Sequence, residues 1–119
     1  MMRLTKEQRD ARDHIVYKVT SPTGEIYIGC TAKTEATHEK SVKTRFNKHV
    51  YRMRGQPNIK WRIYEEMREH GWENFRHSVL EVLSNKTEGH KRERQLIAEL
   101  QPKLNTDTRG CDNTQELAA

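Results

Sequence analysis

Basic side chains recur along one segment of the chain at a spacing that brings them to a single helix face. Arg45, His49 and Arg52 stand at i, i+4 and i+7, beside a predicted apolar stripe. A guanidinium binds phosphate through paired charge-assisted hydrogen bonds, and an imidazole relays protons near neutral pH. Phosphate binding with proton transfer is the chemistry that this face could perform. The alternative is the solvated basic flank of an ordinary surface helix.

A carboxylate is the second group that could do chemistry. Glu93 precedes Leu96, Ile97 and Leu100 on one predicted helix, so it shares their predicted buried face. An inward carboxylate is costly unless it is paired or holds a metal ion. A metal site, a lysine partner and a helix edge open to water are all compatible with this spacing. Asn105, downstream, has an ordinary role as a turn or capping residue.

Tyr17 and Tyr27 are ten positions apart on the two strands of a predicted hairpin. A Ser-Pro-Thr-Gly turn at 21–24 separates the strands. A strict four-residue turn pairs Tyr17 with Ile28 and puts Tyr27 on the other face. A register shifted by one residue, or a bulge near Gly24, would bring both hydroxyls to one side. The pair is then either core or part of a cleft.

Composition sets the class of protein in which these groups must work. The chain has 119 residues with 33% hydrophobic content, which suits one domain with one small core. The net charge of +5 favours an anionic partner, most plausibly nucleic acid, over a merely basic surface. Cys30 and Cys111 form no disulfide framework or zinc motif, and no secretory or membrane-spanning segment is visible, so we expect a cytoplasmic protein without a membrane partner. Histidines without metal-ligand spacing, interpreted as surface or loop residues, are His14, His38, His70, His77 and His90.

Elements that must position these groups follow from the periodicity of the remaining residues. Strands are predicted at Ile15–Thr20, Glu25–Cys30 and Phe75–Leu83. Helices are predicted at Ser41–Arg54, Ile59–His70 and Thr87–Leu100, with Thr87 as an N-cap. A polar loop is predicted at 31–40. The order is β-β-α-α-β-α. It predicts an α+β domain at 14–105, with a small three-stranded antiparallel sheet flanked by helices. A polar segment at 1–13 precedes it, and a polar, flexible tail at 106–119 follows.

Taken together, these residues resemble the GIY-YIG nuclease family. The matching motifs are, in chain order, Ile15-Val16-Tyr17, Tyr27-Ile28-Gly29, Arg45 with His49, Glu93 and Asn105. The run from Tyr64 to Phe75 is similar to the phage and homing-endonuclease branch. The resemblance covers roughly residues 14–105. It departs from the family pattern at Ile15, where the family usually has glycine.

The resemblance implies a metal-dependent DNA endonuclease that hydrolyses phosphodiester bonds with Mg²⁺ or Mn²⁺. The site residues that it implies are Tyr17, Tyr27, Arg45, His49, Glu93 and Asn105. Glu93 would hold the cation, Arg45 would bind the scissile phosphate, and one tyrosine would take a proton from the attacking water. Asn105 would orient groups at the site or contact the backbone.

Substrate recognition is expected to depend mainly on charge. Basic residues expected to contact the DNA backbone are Lys33, Lys43, Lys48, Arg52 and Arg54. Such contacts carry little sequence information, so we expect loose specificity or specificity supplied by a protein partner. The departure at Ile15 favours an alternative, a nucleic-acid-binding module that kept the fold and lost catalysis. A third hypothesis is an accessory protein that docks on another nuclease or a repair complex.

Overall fold

A three-stranded antiparallel sheet in the order β2-β1-β3 forms the centre of the computed structural model, which describes residues 3–106. The elements are α1 (Lys6–Asp10), β1 (His14–Thr20), β2 (Ile26–Ala32), α2 (His38–Gly55), α3 (Arg62–His70), a 3₁₀ turn (Trp72–Asn74), β3 (Arg76–Leu83) and α4 (Lys86–Leu100). The predicted α+β class and the order β-β-α-α-β-α are confirmed. Cys111 and the tail predicted to be flexible from 107 onward lie outside the described residues.

The hairpin that carries the two tyrosines closes through a turn with one extra residue. The Gly24 N–H donates to the Ser21 carbonyl at 3.0 Å, and the Ser21 N–H donates to the Glu25 carbonyl at 2.9 Å. Gly24 has a φ of 90°, a left-handed conformation that glycine adopts without strain. The resulting register pairs Tyr17 with Gly29, and it pairs Val19 with Tyr27. Both tyrosines therefore face the same side, and the predicted shift in register is confirmed.

Alternate residues of the central strand β1 serve two separate parts of the core. Ile15, Tyr17 and Val19 pack with the buried residues of α2 and α3, whereas Val16 packs with Ile28 and with Ile97 of α4. Full burial of an aliphatic side chain of this size contributes about 1.5–3 kcal/mol. The result is a three-layer arrangement in which α2 and α3 cover one face of the sheet and α4 covers the other.

Two helices begin earlier than their apolar patterns predicted, because polar caps determine where they start. Helix α2 begins at His38, after Thr37 accepts a hydrogen bond from the Lys40 N–H at 3.1 Å. Helix α4 begins at Lys86, so the predicted N-cap Thr87 is wrong. The side chain of Asn85 is the cap and accepts from the Glu88 N–H at 2.9 Å.

Smaller corrections concern the other ends of the helices. The structure starts α3 at Arg62 rather than at Ile59, and it ends α3 at His70, as predicted. Leu100, predicted on the buried face of α4, is the last residue of the helix and is 47% exposed. No helix among residues 3–106 combines the length and the apolar character needed to cross a membrane.

The segment after α4 covers part of the exposed edge of β2. The Leu104 N–H donates to the Ile26 carbonyl at 3.0 Å. The side-chain amide of Asn105 bonds both backbone groups of Ile28, accepting at 2.8 Å and donating at 2.9 Å. An uncovered strand edge invites pairing with other chains, so these contacts protect β2 and fix its position.

Candidate active site

Gly29 marks the point on β2 where the candidate groups meet. A Cβ atom at this position would lie 2.5 Å from Cζ and from the hydroxyl oxygen of Tyr17, and 2.9 Å from Cε2 of Tyr27. Only glycine therefore lets the two rings approach the strand so closely. The ring centroids of Tyr17 and Tyr27 are 6.3 Å apart. Ile15, where the sequence departs from the pattern that it resembles, is fully buried in the core.

Arg45 reaches the tyrosine pair from α2. Its positive charge counteracts the rise in pKa of both Tyr17 and Tyr27. The Nε–H of Arg45 is buried and has no acceptor within residues 3–106. Buried donors are normally paired, so a ligand oxygen bound at this guanidinium would complete its hydrogen bonding.

His49 lies one helical turn beyond Arg45 and joins two tyrosines. Its Nε2 atom is 3.4 Å from the Tyr17 hydroxyl, and its Nδ1 atom is 3.1 Å from the Tyr64 hydroxyl. Burial, followed by the positive charges of Arg45 and Arg52, lowers the pKa of His49 to about 3. The imidazole is therefore neutral, and it can donate from one nitrogen while accepting at the other.

Tyr64 is a member of this chain of hydrogen bonds that the sequence did not predict. Its position in the apolar stripe of α3, beside Ile63 and Met67, made it look like ordinary core. The phenol has a polar end, however, and a buried tyrosine hydroxyl needs a partner. The spacing of α3 indicated that Tyr64 would be buried and would need a hydrogen-bond partner, but it did not indicate that the partner is His49.

Both phenols at Gly29 are held in the protonated form. Burial is the largest cause of the raised pKa of Tyr17 and of Tyr27, and the negative charge of Glu93 adds to it in both cases. Tyr17 is 1% exposed, whereas Tyr27 is partly exposed.

Glu93 approaches the tyrosines from the other side of the sheet. Helix α4 packs on the face opposite to α2, so Glu93 and Arg45 come from different sides of the sheet. Both charges act on Cys30 of β2: burial raises the pKa of this thiol to about 12, Glu93 adds to the rise and Arg45 opposes it. Glu93 is 8% exposed, so the predicted inward direction of this carboxylate is confirmed.

A pair of histidines that seemed unimportant in the sequence lies beside Glu93. The Nδ1 atom of His90, a partly exposed residue, is 3.1 Å from Oε1 of Glu93. His14 is buried in β1 at 5% exposure, so its interpretation as a surface or loop residue is wrong, and its ring centroid is 6.2 Å from that of His90. The i, i+3 spacing of His90 and Glu93 was the available signal.

The donor set at Glu93 can hold a divalent cation. One carboxylate suits Mg²⁺ or Mn²⁺ when water and substrate oxygens supply the remaining ligands. His90 and Cys30 add nitrogen and sulfur donors, which lie within 4.8 Å of the carboxylate oxygen and of each other. The residues therefore fit a cation, and Glu93 is the group that would hold it.

Asn105 has a defined position next to the site. Both ends of its side-chain amide are bonded to the backbone of Ile28, the residue between Tyr27 and Gly29. Of the two roles expected for Asn105, the structure shows the backbone contact. This contact holds β2 in place beneath the two tyrosines.

The predicted DNA-binding residues divide into two groups. An open cleft along α2 is lined by Arg45, Lys48, His49 and Arg52, and its lining includes the imidazole that contacts Tyr17. Residues predicted to bind DNA that do not line this cleft are Lys33, Lys43 and Arg54. Tyr51, which the sequence did not single out, also lines the cleft and is 83% exposed.

Arg52 contributes to the cleft in a second way. Its guanidinium carbon lies 5.7 Å from the centroid of the Trp61 ring, within the range of a cation–π contact. Its charge also counteracts the rise in pKa that burial causes at Tyr64. The contact with Trp61 holds a positive charge at the wall of the cleft.

Comparisons with protein-family models, with curated proteins and with solved structures found no match to this chain.

Proposed function

We propose that this protein is a metal-dependent DNA endonuclease that hydrolyses phosphodiester bonds. The observation that carries the proposal is that two phenols meet at Gly29 and that the charges of Arg45 and Glu93 both act on them. Phosphodiester hydrolysis needs a cation for the phosphoryl oxygens, an acceptor for the proton of water and stabilisation of the leaving oxygen. A structural core would need none of these charges.

Each residue has a role that its surroundings support. Arg45 binds the scissile phosphate and stabilises the charge that develops on it. Glu93 holds Mg²⁺ or Mn²⁺, which supplies Lewis-acid assistance when bound. One of the two phenols, after its own proton has passed to solvent, accepts the proton of the attacking water; the charge of Arg45 favours that loss, and a bound cation would assist it. The enclosed Tyr17 contacts His49. Neutral His49 is free to exchange a proton with the Tyr17 hydroxyl.

The cleft beside the site supports a nucleic acid as substrate. Arg45, Lys48 and Arg52 give it positive charge, and a duplex or a single strand presents regularly spaced phosphates. These side chains contact backbone phosphates rather than base edges, so the proposed activity has low intrinsic sequence specificity. A protein partner would supply any further specificity.

A nucleic-acid-binding module without catalysis is the second candidate. The raised pKa of Tyr17 and of Tyr27 favours it, since a protonated phenol is a poor base. This candidate predicts DNA binding at the cleft without cleavage in any divalent metal.

A plasmid-nicking assay with Mg²⁺ tests the proposal. We expect Glu93→Gln and Arg45→Gln to lower the nicking rate by about 100-fold or more, because each removes a charge needed in the transition state. Glu99→Gln is the matched control, since it removes an exposed carboxylate from the same helix. Equal nicking by wild type and Glu93→Gln would refute the role of Glu93. Absence of nicking by the wild type in Mg²⁺ and in Mn²⁺, with DNA binding intact, would favour the second candidate.

A further inference from the structure

Three different metal-ligating side chains meet where the start of α4 crosses β2. The Sγ atom of Cys30, a ring nitrogen of His90 and a carboxylate oxygen of Glu93 all lie within 4.8 Å of one another. The His90 and Glu93 atoms are already in contact, with Nδ1 and Oε1 3.1 Å apart. Ligands of a tetrahedral zinc ion are about 3.3–3.7 Å apart when each is 2.0–2.3 Å from the metal. A small inward movement of the thiol would therefore complete a set of three ligands.

The fold brings these groups together through a close approach of backbone segments. Gly89 is buried in the first turn of α4, where a Cβ atom would lie 2.7 Å from Cβ of His14 and 3.1 Å from Sγ of Cys30. Any other residue would hold the helix away from the strands. His90 follows Gly89 directly, and Glu93 is one turn further along the same side. The position of both ligands relative to Cys30 thus depends on Gly89.

The chemistry of these donors differs from that of a magnesium site. Mg²⁺ prefers oxygen ligands, whereas a thiolate and an imidazole select borderline ions such as Zn²⁺ and Co²⁺. We propose that Cys30, His90 and Glu93 form a three-ligand site for a borderline divalent cation of the Zn²⁺ or Co²⁺ type, with a fourth position open to water. Binding replaces the thiol proton by the metal: the S–H bond breaks, an S–metal bond forms and one proton passes to solvent.

This site shares Glu93 with the proposed nuclease but has its own basis in geometry. It extends the proposed function by naming the class of metal ion that these three ligands favour. A borderline ion bound by three protein ligands would occupy the carboxylate that Mg²⁺ needs. Zn²⁺ and Mg²⁺ would then compete for the protein, and the ratio of the two ions would control activity.

Cobalt absorption gives a direct test, because a thiolate bound to Co²⁺ produces a sulfur-to-cobalt charge-transfer band. The experiment titrates Co²⁺ alone into the full chain under reducing conditions, in the absence of nucleic acid. We expect a band that saturates at one equivalent in the wild type and in Cys111→Ser, the control for the other cysteine. Cys30→Ser should lose the band. His90→Gln should weaken Co²⁺ binding by at least about tenfold.

The test distinguishes a variant that does not fold from one that folds but does not bind the metal. His90 is partly exposed, so His90→Gln tests the site even if Cys30→Ser does not fold, as judged by circular dichroism. A band that persists in Cys30→Ser, or no stoichiometric band in the wild type, would overturn the site. A wild type that binds Co²⁺ through Cys30 but never nicks DNA contradicts only the proposed nuclease. One that nicks with Mg²⁺ but shows no thiolate band contradicts only this inference.

Discussion

The Tyr17 hydroxyl lies 3.4 Å from Nε2 of His49, in a buried contact that joins the central strand to α2. Because the other imidazole nitrogen meets the Tyr64 hydroxyl at 3.1 Å, His49 fixes the positions of two phenols at once. A protonated imidazole would have two donors and no acceptor, and it would place a positive charge next to Arg45. The site therefore requires a neutral His49.

The first prediction concerns the pH dependence of stability. Folding lowers the pKa of His49 from 6.5 to about 3, so between these values the unfolded chain binds a proton that the folded protein does not. The free energy of unfolding should therefore fall as pH drops below 6.5, by up to about 1.4 kcal/mol per pH unit for this group. Urea denaturation between about pH 5 and pH 7.5 measures the slope.

A matched pair of variants isolates the contribution of His49. His49→Gln keeps a hydrogen-bonding side chain without a titrating ring, so its slope should be shallower by about 1 kcal/mol per pH unit. Asn47→Ala, which alters an exposed, non-titrating residue of the same helix, should keep the wild-type slope. The buried His14 and the partly buried His77 contribute in the same direction and leave a residual slope in every variant. An unchanged slope in His49→Gln would contradict the prediction.

The second prediction concerns the close contact at Gly29. Gly29→Ala places a methyl group 2.5 Å from the Tyr17 hydroxyl, so the ring must move or the strand must shift. We expect a loss of about 1–3 kcal/mol in the free energy of unfolding, as for other overpacked sites. Gly55→Ala is the control, because nothing lies within 4 Å of a Cβ atom there, and its stability should be unchanged or up to about 1 kcal/mol higher. Equal stability of the two variants would show that Gly29 is not under this constraint.

The third prediction compares the stability lost when a buried asparagine or an exposed asparagine is removed. Asn105→Ala leaves both backbone groups of Ile28 without their partners in a buried position, which should cost about 2–4 kcal/mol. Asn74→Ala removes a single exposed bond to the His70 carbonyl and should cost less than about 1 kcal/mol. Thermal unfolding compares the two variants. Similar melting temperatures would mean that the closure of β2 by Asn105 contributes little.

The elements and their order could be predicted because each has its own local signal. The apolar spacing of α2, with Val42, Phe46, Val50 and Met53, corresponds to residues that the structure buries. The start of α4 could not be predicted as well, because Asn85 and Thr87 are both acceptable caps and only the backbone path selects one.

The site was less predictable because it depends on contacts between distant segments. The inward direction of Glu93 followed from its helix, but its contact with His90 and its proximity to Cys30 required the close approach at Gly89. The side of the sheet that Glu93 occupies depends on where α4 packs, and no local pattern encodes that choice. Tyr64 was missed for a related reason, since a buried phenol resembles core until its partner is known.

The last prediction concerns how the cleft binds DNA. Lys48 is exposed on α2 and lines the cleft that continues from Arg45, so its ammonium group can contact a backbone phosphate. Loss of one such contact should reduce the slope of log affinity against log salt concentration by about 0.9, equally for different sequences. Fluorescence anisotropy with Lys48→Ala and labelled duplexes at several salt concentrations measures this slope. Lys91→Ala, at an exposed position on α4 that does not line the cleft, should retain the wild-type slope. If Lys91→Ala lowers the slope and Lys48→Ala does not, DNA binds on the α4 side of the protein, because the salt dependence follows the surface that releases counterions.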